Sequence, residues 1–128
     1  MTVFLPDTNV LIDALNGRRD RKKLLHGLVA QGHSLACCAV TIAELYAGLH
    51  PSEVVPAEEF VSVMVWTDIS FSVARKAGEL KYEWARKGKT LVAADTLIAA
   101  TALHYKLTLI TDNKKDFPMP ELNIHPLK

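Results

Sequence analysis

The chain has 128 residues, 15 basic and 14 acidic, with a formal charge of +1 and 49% hydrophobic content. That length fits one domain, residues 1–128, with a core large enough to need no disulfide or metal staple. Half-hydrophobic composition with 23% charge excludes a disordered or low-complexity chain, and near-neutrality removes any global electrostatic case for nucleic acid.

Residues 2–5 read as a short buried strand stopped by Pro6. Asp7 or Thr8 then caps a helix through Val10, Leu11, Ala14 and Leu15 to Gly17. Asp20 opens a second helix, with Leu24, Leu25, Leu28 and Val29 at helical spacing and Gly32 as its stop. Residues 35–40 form the next strand, and Thr41 begins a helix through Leu45 and Leu49 that ends before Pro51. Pro56 starts a further helix to about Val65, and residues 63–69 include a short strand. Ser70 or Ser72 caps a long amphipathic helix carrying Val73, Ala77, Leu80 and Trp84, closed by Gly88. Residues 91–105 are apolar nearly all round, the mark of a buried helix. Residues 107–111 and 122–125 complete the strands, and the alternation predicts an α/β fold with a mainly parallel sheet.

The longest near-apolar stretch, residues 91–103, contains Asp95, Thr96 and Thr101 and falls short of the ~20 apolar residues a membrane span requires. The first seven residues carry no basic segment or cleavage site of a signal peptide, so the expected compartment is the cytoplasm. Cys37 and Cys38 are adjacent and flanked by apolar residues, which predicts buried free thiols in a strand. Basic residues gather at Arg18, Arg19, Arg21, Lys22 and Lys23, and again at Arg75, Lys76, Lys81, Arg86, Lys87 and Lys89. Either cluster suits a phosphate backbone or a solvated helix face.

Three acids stand in apolar surroundings: Asp7, Glu44 and Asp95. Burying an unpaired carboxylate costs several kcal/mol, and no basic residue is near any of them in sequence. Each has a plain structural reading. Thr41 and Glu44 match a capping box, and Asp7 and Asp95 match N-caps. Together they point elsewhere, because positions following parallel strands gather at the carboxyl edge of the sheet, where α/β folds place their sites. The stretch Thr111-Asp-Asn-Lys-Lys-Asp-Phe117 adds further acids after another strand. Clustered carboxylates repel unless cations lie between them, and all-oxygen clusters suit Mg²⁺ or Mn²⁺. There is no Gly-rich phosphate loop, no HExxH and no Gly-x-Ser-x-Gly, and the five histidines show no ligand spacing.

Four blocks carry a resemblance: Phe4-Leu-Pro-Asp-Thr-Asn-Val-Leu-Ile-Asp13, Val40-Thr-Ile-Ala-Glu-Leu-Tyr-Ala-Gly48, Ala94-Asp-Thr-Leu-Ile-Ala-Ala100 and Ile110-Thr-Asp-Asn-Lys-Lys-Asp-Phe117. In order and spacing they resemble the PIN domain and, more narrowly, the VapC-type toxins of bacterial toxin–antitoxin pairs. The resemblance implies a three-layer α/β sandwich and a Mg²⁺- or Mn²⁺-dependent endoribonuclease. It places Asp7, Glu44, Asp95 and Asp116 as the metal-holding, catalytic acids, with Asp112 second to Asp116. Asn9, Thr111 and Asn113 become supporting groups, and Arg86, Lys87, Lys89, Arg18 and Lys22 become candidates for gripping RNA backbone. It also implies a homodimer and a cognate VapB-like antitoxin that covers the acidic site.

Two other readings compete. In a Mg²⁺-dependent phosphohydrolase Asp7 would be the nucleophile, although such enzymes favour Asp-x-Asp and this chain has Asp7-Thr8-Asn9. In a non-catalytic PIN-like binding module the acids would serve only as caps or as an interaction surface.

Overall fold

The computed structural model describes residues 1–127. Its strands are β1 (Val3–Pro6), β2 (Ser34–Cys37), β3 (Val65–Trp66), β4 (Thr108–Ile110) and β5 (Asn123–His125). Its helices are α1 (Thr8–Leu15), α2 (Arg21–Ala30), α3 (Ala39–Ala47), α4 (Val54–Ser62), α5 (Phe71–Arg86) and α6 (Ala93–Tyr105). The sheet order is β3-β2-β1-β4-β5 and every pairing is parallel.

Strand residues alternate between the two faces, and helices cover both. Phe4, Leu35 and Ile110 join Val10, Leu11, Leu25 and Leu45 in a core beneath α1, α2 and α3. Leu5, Ala36 and Leu109 face the opposite way, into a core built with Val73 and Leu80 of α5 and Ile98 of α6. These two cores on either side of one sheet make the expected three-layer sandwich. The chain winds from β1 outward to β3, then returns to place β4 on the other side of β1. The β1/β4 junction is therefore the topological switch point of the sheet.

The long helix follows its sequence pattern: Ser70 Oγ accepts from the Val73 N–H at 3.3 Å, and Val73, Ala77 and Leu80 are buried on one face. Gly88, at φ +88°, supplies the left-handed turn that ends this run. The buried helix begins at Ala93 rather than at residue 91, with Val92 as its extended N-cap, and Ile98–Ala102 are buried all round.

Several boundaries differ from expectation. Strand β2 stops at Cys37, and α3 opens at Ala39 rather than at Thr41. The cause is Thr41 itself, whose Oγ1 accepts from the Cys38 N–H at 3.1 Å and so acts as the third helical residue of a cap centred on Cys38. Cys37 ends the strand and Cys38 is that N-cap, so only one of the two buried free thiols lies in the strand. Pro56 is the third residue of α4, not its first; a one-turn 3-10 segment at Pro51–Glu53 leads in, and the missing N–H of Pro56 falls in the first turn where none is needed. Asp20 precedes α2 in a left-handed conformation (φ 57°) and makes no side-chain cap bond.

Candidate active site

The sheet delivers the candidate acids one strand at a time. Asp7 follows β1, its N–H donating to the Ile110 carbonyl at 2.8 Å and so carrying the β1–β4 ladder one step past the strands. Glu44 sits in the second turn of α3, the helix that follows β2. Asp95 is the third residue of α6, at the helix end whose free N–H groups favour negative charge. Asp116 closes the short 3-10 turn Lys114–Asp116 after β4. All four line one hollow of about 320 Å³ together with Thr8, Asn9, Ile12 and Asn113.

Asp7 is 7% exposed and both its oxygens are engaged. Oδ1 accepts from the Thr8 N–H at 2.8 Å and Oδ2 from the Thr111 hydroxyl at 3.0 Å. Burial nevertheless pushes its carboxyl above the ordinary range, with the charges of Glu44 and Asp116 adding to the rise against those hydrogen bonds. Asp95 is pushed up to about 6, first by burial and then by the charges of Asp7, Asp116 and Glu44. Both acids thus carry the field of Glu44 and Asp116, and Asp95 that of Asp7 as well. None of the four enters an ion pair among the described residues.

The cap readings fare unevenly. Asp7 does cap α1. Asp95 lies inside α6, not before it. Glu44 does not reach back to Thr41; it is exposed to the hollow, not buried as its apolar flanks predict, and its Oε1 accepts from the Thr8 hydroxyl at 2.7 Å. Thr8 is a site residue that the sequence reading treats only as an alternative cap. Its link to Glu44 spans 36 positions and leaves no trace in local spacing.

Asp112 turns away from the hollow. Its Oδ1 lies 2.5 Å from Nη2 of the buried Arg21 and its Oδ2 lies 3.3 Å from Nη1 of Arg19. Asp116 lines the hollow where Asp112 does not. Thr111 and Asn113 flank Asp112 on the inner side: the Asn113 N–H donates to Thr111 Oγ1 at 3.0 Å, and the Asn113 side chain borders the hollow.

The basic candidates fall in separate places. Lys89 donates to the carbonyl of Lys115, next to Asp116 in the chain. Arg86 donates to the Tyr82 hydroxyl at 3.0 Å, and Lys87 pairs with Glu83 and lies 4.5 Å from the Trp84 ring centroid. Arg18 is exposed beyond α1, whereas Lys22 borders an apolar groove between α1, α2 and α4 rather than the carboxylate hollow.

The donor set, four carboxylates at one hollow with no basic partner, fits a hard divalent cation. Among the described residues no group of three or more His, Cys, Asp or Glu side chains stands close enough together to hold a metal ion as the side chains lie here. No helix among the described residues is long and apolar enough to cross a membrane.

Comparison with known proteins gives a consistent picture. A family model described as PIN domain matches residues 4–119. The ribonuclease VapC19 of Mycobacterium tuberculosis is 35% identical over 119 residues, covering 92% of this chain and 95% of that protein. The crystal structure of VapBC2 from Rickettsia felis, bound to a DNA fragment from its promoter, aligns with a TM-score of 0.86 at 26% identity, over 99% of this chain and 100% of that chain. A toxin–antitoxin complex from Klebsiella pneumoniae aligns with a TM-score of 0.80 at 30% identity, over 98% of each chain.

Proposed function

The chain belongs to the PIN-domain family, and on that premise we propose that it is the endoribonuclease toxin of a toxin–antitoxin pair, a VapC-type protein that hydrolyses RNA phosphodiesters as a single domain. The observation that carries this reading is the convergence of Asp7, Glu44, Asp95 and Asp116 on one hollow at the sheet's switch point, with no ion pair to a basic side chain among the described residues.

Nucleases of this family are metal-dependent, and Mg²⁺ or Mn²⁺ suits these donors. Asp7 and Asp95 would be the principal anchors, because burial and the charges of neighbouring acids raise both carboxyls, a cost that a cation would relieve. Asp116 and Glu44 complete the set from the open side. When bound, the ion lowers the pKa of a water and stabilises charge developing at phosphorus. The chain's own groups then orient the reaction. Thr111 fixes the rotamer of Asp7, Thr8 fixes that of Glu44, and Asn9 and Asn113 present polar groups to the scissile phosphate or its water. Arg86, Lys87, Lys89, Arg18 and Lys22 are the cations proposed to hold the RNA backbone, and Lys89 contacts the carbonyl of Lys115, the residue before Asp116.

The phosphohydrolase reading asks Asp7 to attack phosphorus. Its oxygens accept from the Thr8 N–H and the Thr111 hydroxyl, and where such enzymes favour Asp-x-Asp the chain has Asp7-Thr8-Asn9. The binding-module reading asks the acids to be caps or an interaction surface, and neither Glu44 nor Asp95 performs the first of these roles.

The similar chains solved in toxin–antitoxin complexes support a VapB-like antitoxin as partner, and its proposed mode of silencing is to cover the acidic hollow with a basic side chain. The cytoplasm is the proposed compartment, and a homodimer the proposed assembly. The exposed Val63, Val65, Trp66, Phe71 and Tyr82 offer apolar surface for such an assembly.

Incubating the purified chain with total cellular RNA tests the reaction. Discrete fragments that form with Mn²⁺ or Mg²⁺, vanish with EDTA and are absent with Asp7→Asn support the nuclease. A phosphate covalently trapped on Asp7 after exposure to a phosphodonor would overturn it in favour of the phosphohydrolase.

A further inference from the structure

The basic cluster between α1 and α2 reads in sequence as a solvated or RNA-facing run, but its members have different fates. Arg18, Lys22 and Lys23 are exposed, whereas Arg21 is 5% exposed. The chain goes to some length to bury it. Arg19 and Asp20 are consecutive residues in the left-handed region, at φ 55° and 57°, which non-glycine residues seldom adopt. That double turn carries the guanidinium inward, where Nη1 donates to the Arg19 carbonyl at 3.2 Å and Nη2 meets Asp112 Oδ1 at 2.5 Å.

Asp112 is the centre of the loop that builds one wall of the site. Thr111 before it donates to Asp7, Asn113 after it borders the hollow, and the Asp116 N–H donates back to the Asn113 carbonyl at 2.9 Å. We propose that Arg21 is a positioning residue for the reaction: by holding Asp112 on the outer side of the loop, it fixes Thr111, Asn113 and Asp116 on the inner side. The inference rests on the nuclease reading above.

Stability alone is a poor account of the pair. A buried ion pair is no more stabilising than apolar residues of the same size, and Arg21 Nε is buried with no hydrogen-bond partner among the described residues. What an arginine adds is a rigid planar fork that fixes direction as well as distance. Among the described residues the polar partners of Arg21 are the Arg19 carbonyl and Asp112, neither of which lines the hollow, so its effect passes through Asp112.

The test compares Arg21→Lys, which keeps charge but loses the fork, with Asp112→Asn, which keeps shape but loses charge. Amide hydrogen exchange on the metal-free proteins reads loop order directly. Exchange at Asn113 and Asp116 is expected to quicken at least ~10-fold in both variants, while the Asp7 amide, bonded to Ile110, stays protected as in the parent. In RNA cleavage both variants are expected to lose about 10- to 100-fold in kcat with KM changed less than about twofold, as for outer partners of metal ligands. The double variant should be no worse than either single one.

Unchanged loop exchange and unchanged kcat in folded variants would overturn the proposal and leave the pair a packing feature. Quickened exchange at Asp7 as well would do the same, by showing general loosening. A raised KM with kcat kept would make Arg21 an RNA contact instead. If Arg21→Lys does not fold, Asp112→Asn decides alone. If the parent itself cuts no RNA, the nuclease reading fails while the exchange result still stands or falls by itself.

Discussion

A carboxylate in an apolar stretch is an ambiguous signal until its hydrogen bonds are known. Asp7 and Asp95 are raised by burial and by neighbouring charge, and that fixes the sign of two effects. A carboxyl whose folded pKa exceeds its unfolded value binds its proton more tightly when folded, so its favourable contribution is present below the unfolded value, 3.8 for Asp95, and is lost as pH rises through about 6. Metal-free protein is therefore expected to lose stability between those values, and Asp95→Asn to flatten that part of the curve, measured by urea unfolding across the range. At neutral pH without metal, Asp95→Asn should raise Tm by about 2–4 °C, a figure discounted for a half-buried site. A fall in Tm would contradict this and make the Asp95 carboxylate a net stabiliser of the α6 N-terminus. Thr8→Val keeps the volume of a 7%-exposed side chain and removes the hydroxyl on Glu44. Cleavage should drop about 10- to 100-fold with the fold intact by circular dichroism. Asp7 and Asp95 were legible because each lies at the end of a strand or the start of a helix, whereas Asp116 came ahead of Asp112 only through the family resemblance. Thr8 and Arg21 were not legible, because their partners Glu44 and Asp112 are 36 and 91 positions away.

Elements with a strong period read well from sequence. The α5 face of Val73, Ala77 and Leu80 gives itself away by spacing, and the all-apolar run of α6 by its lack of a polar stripe. The β2–α3 junction read poorly because Ala39 and Val40 look like strand continuation, while the signal that starts the helix is a hydroxyl bonding backwards from Thr41 to Cys38. Such side-chain bonds compete with strand pairing and outweigh a one- or two-residue propensity. The buried helix also sets a stability test. Ile98 is fully buried between α5 and the sheet, so Ile98→Ala should cost about 2–5 kcal/mol by denaturant unfolding. Below the lowered Tm, kcat should stay near the parent value, because Ile98 borders none of the hollow.

At the scale of the whole molecule, topology does most to assemble the site. Winding outward from β1 to β3 and then returning to β4 opens the sheet's carboxyl edge at the β1/β4 junction, and Asp7 and Thr111 stand at its two lips. Two acids contributed by helices close the ring, and Asp112 is kept out of it by Arg21. The fold class was legible because strands alternate with helices. The order of Asp116 before Asp112 came from the resemblance and not from local pattern, because it depends on which way one loop turns.

The central claim is that Asp7, Glu44, Asp95 and Asp116 act together as a cation site, and a Mn²⁺ thermal-shift series tests it most directly. At 100 times its dissociation constant a ligand that binds only the folded state adds about 2.7 kcal/mol, roughly 10 °C for a chain of this size. The account predicts such a shift in the parent, its loss in Asp7→Asn, Asp95→Asn and Asp116→Asn, and its survival in Asp112→Asn from a lower starting Tm. A shift that survives the first three substitutions, or that vanishes only with Asp112→Asn, would contradict it.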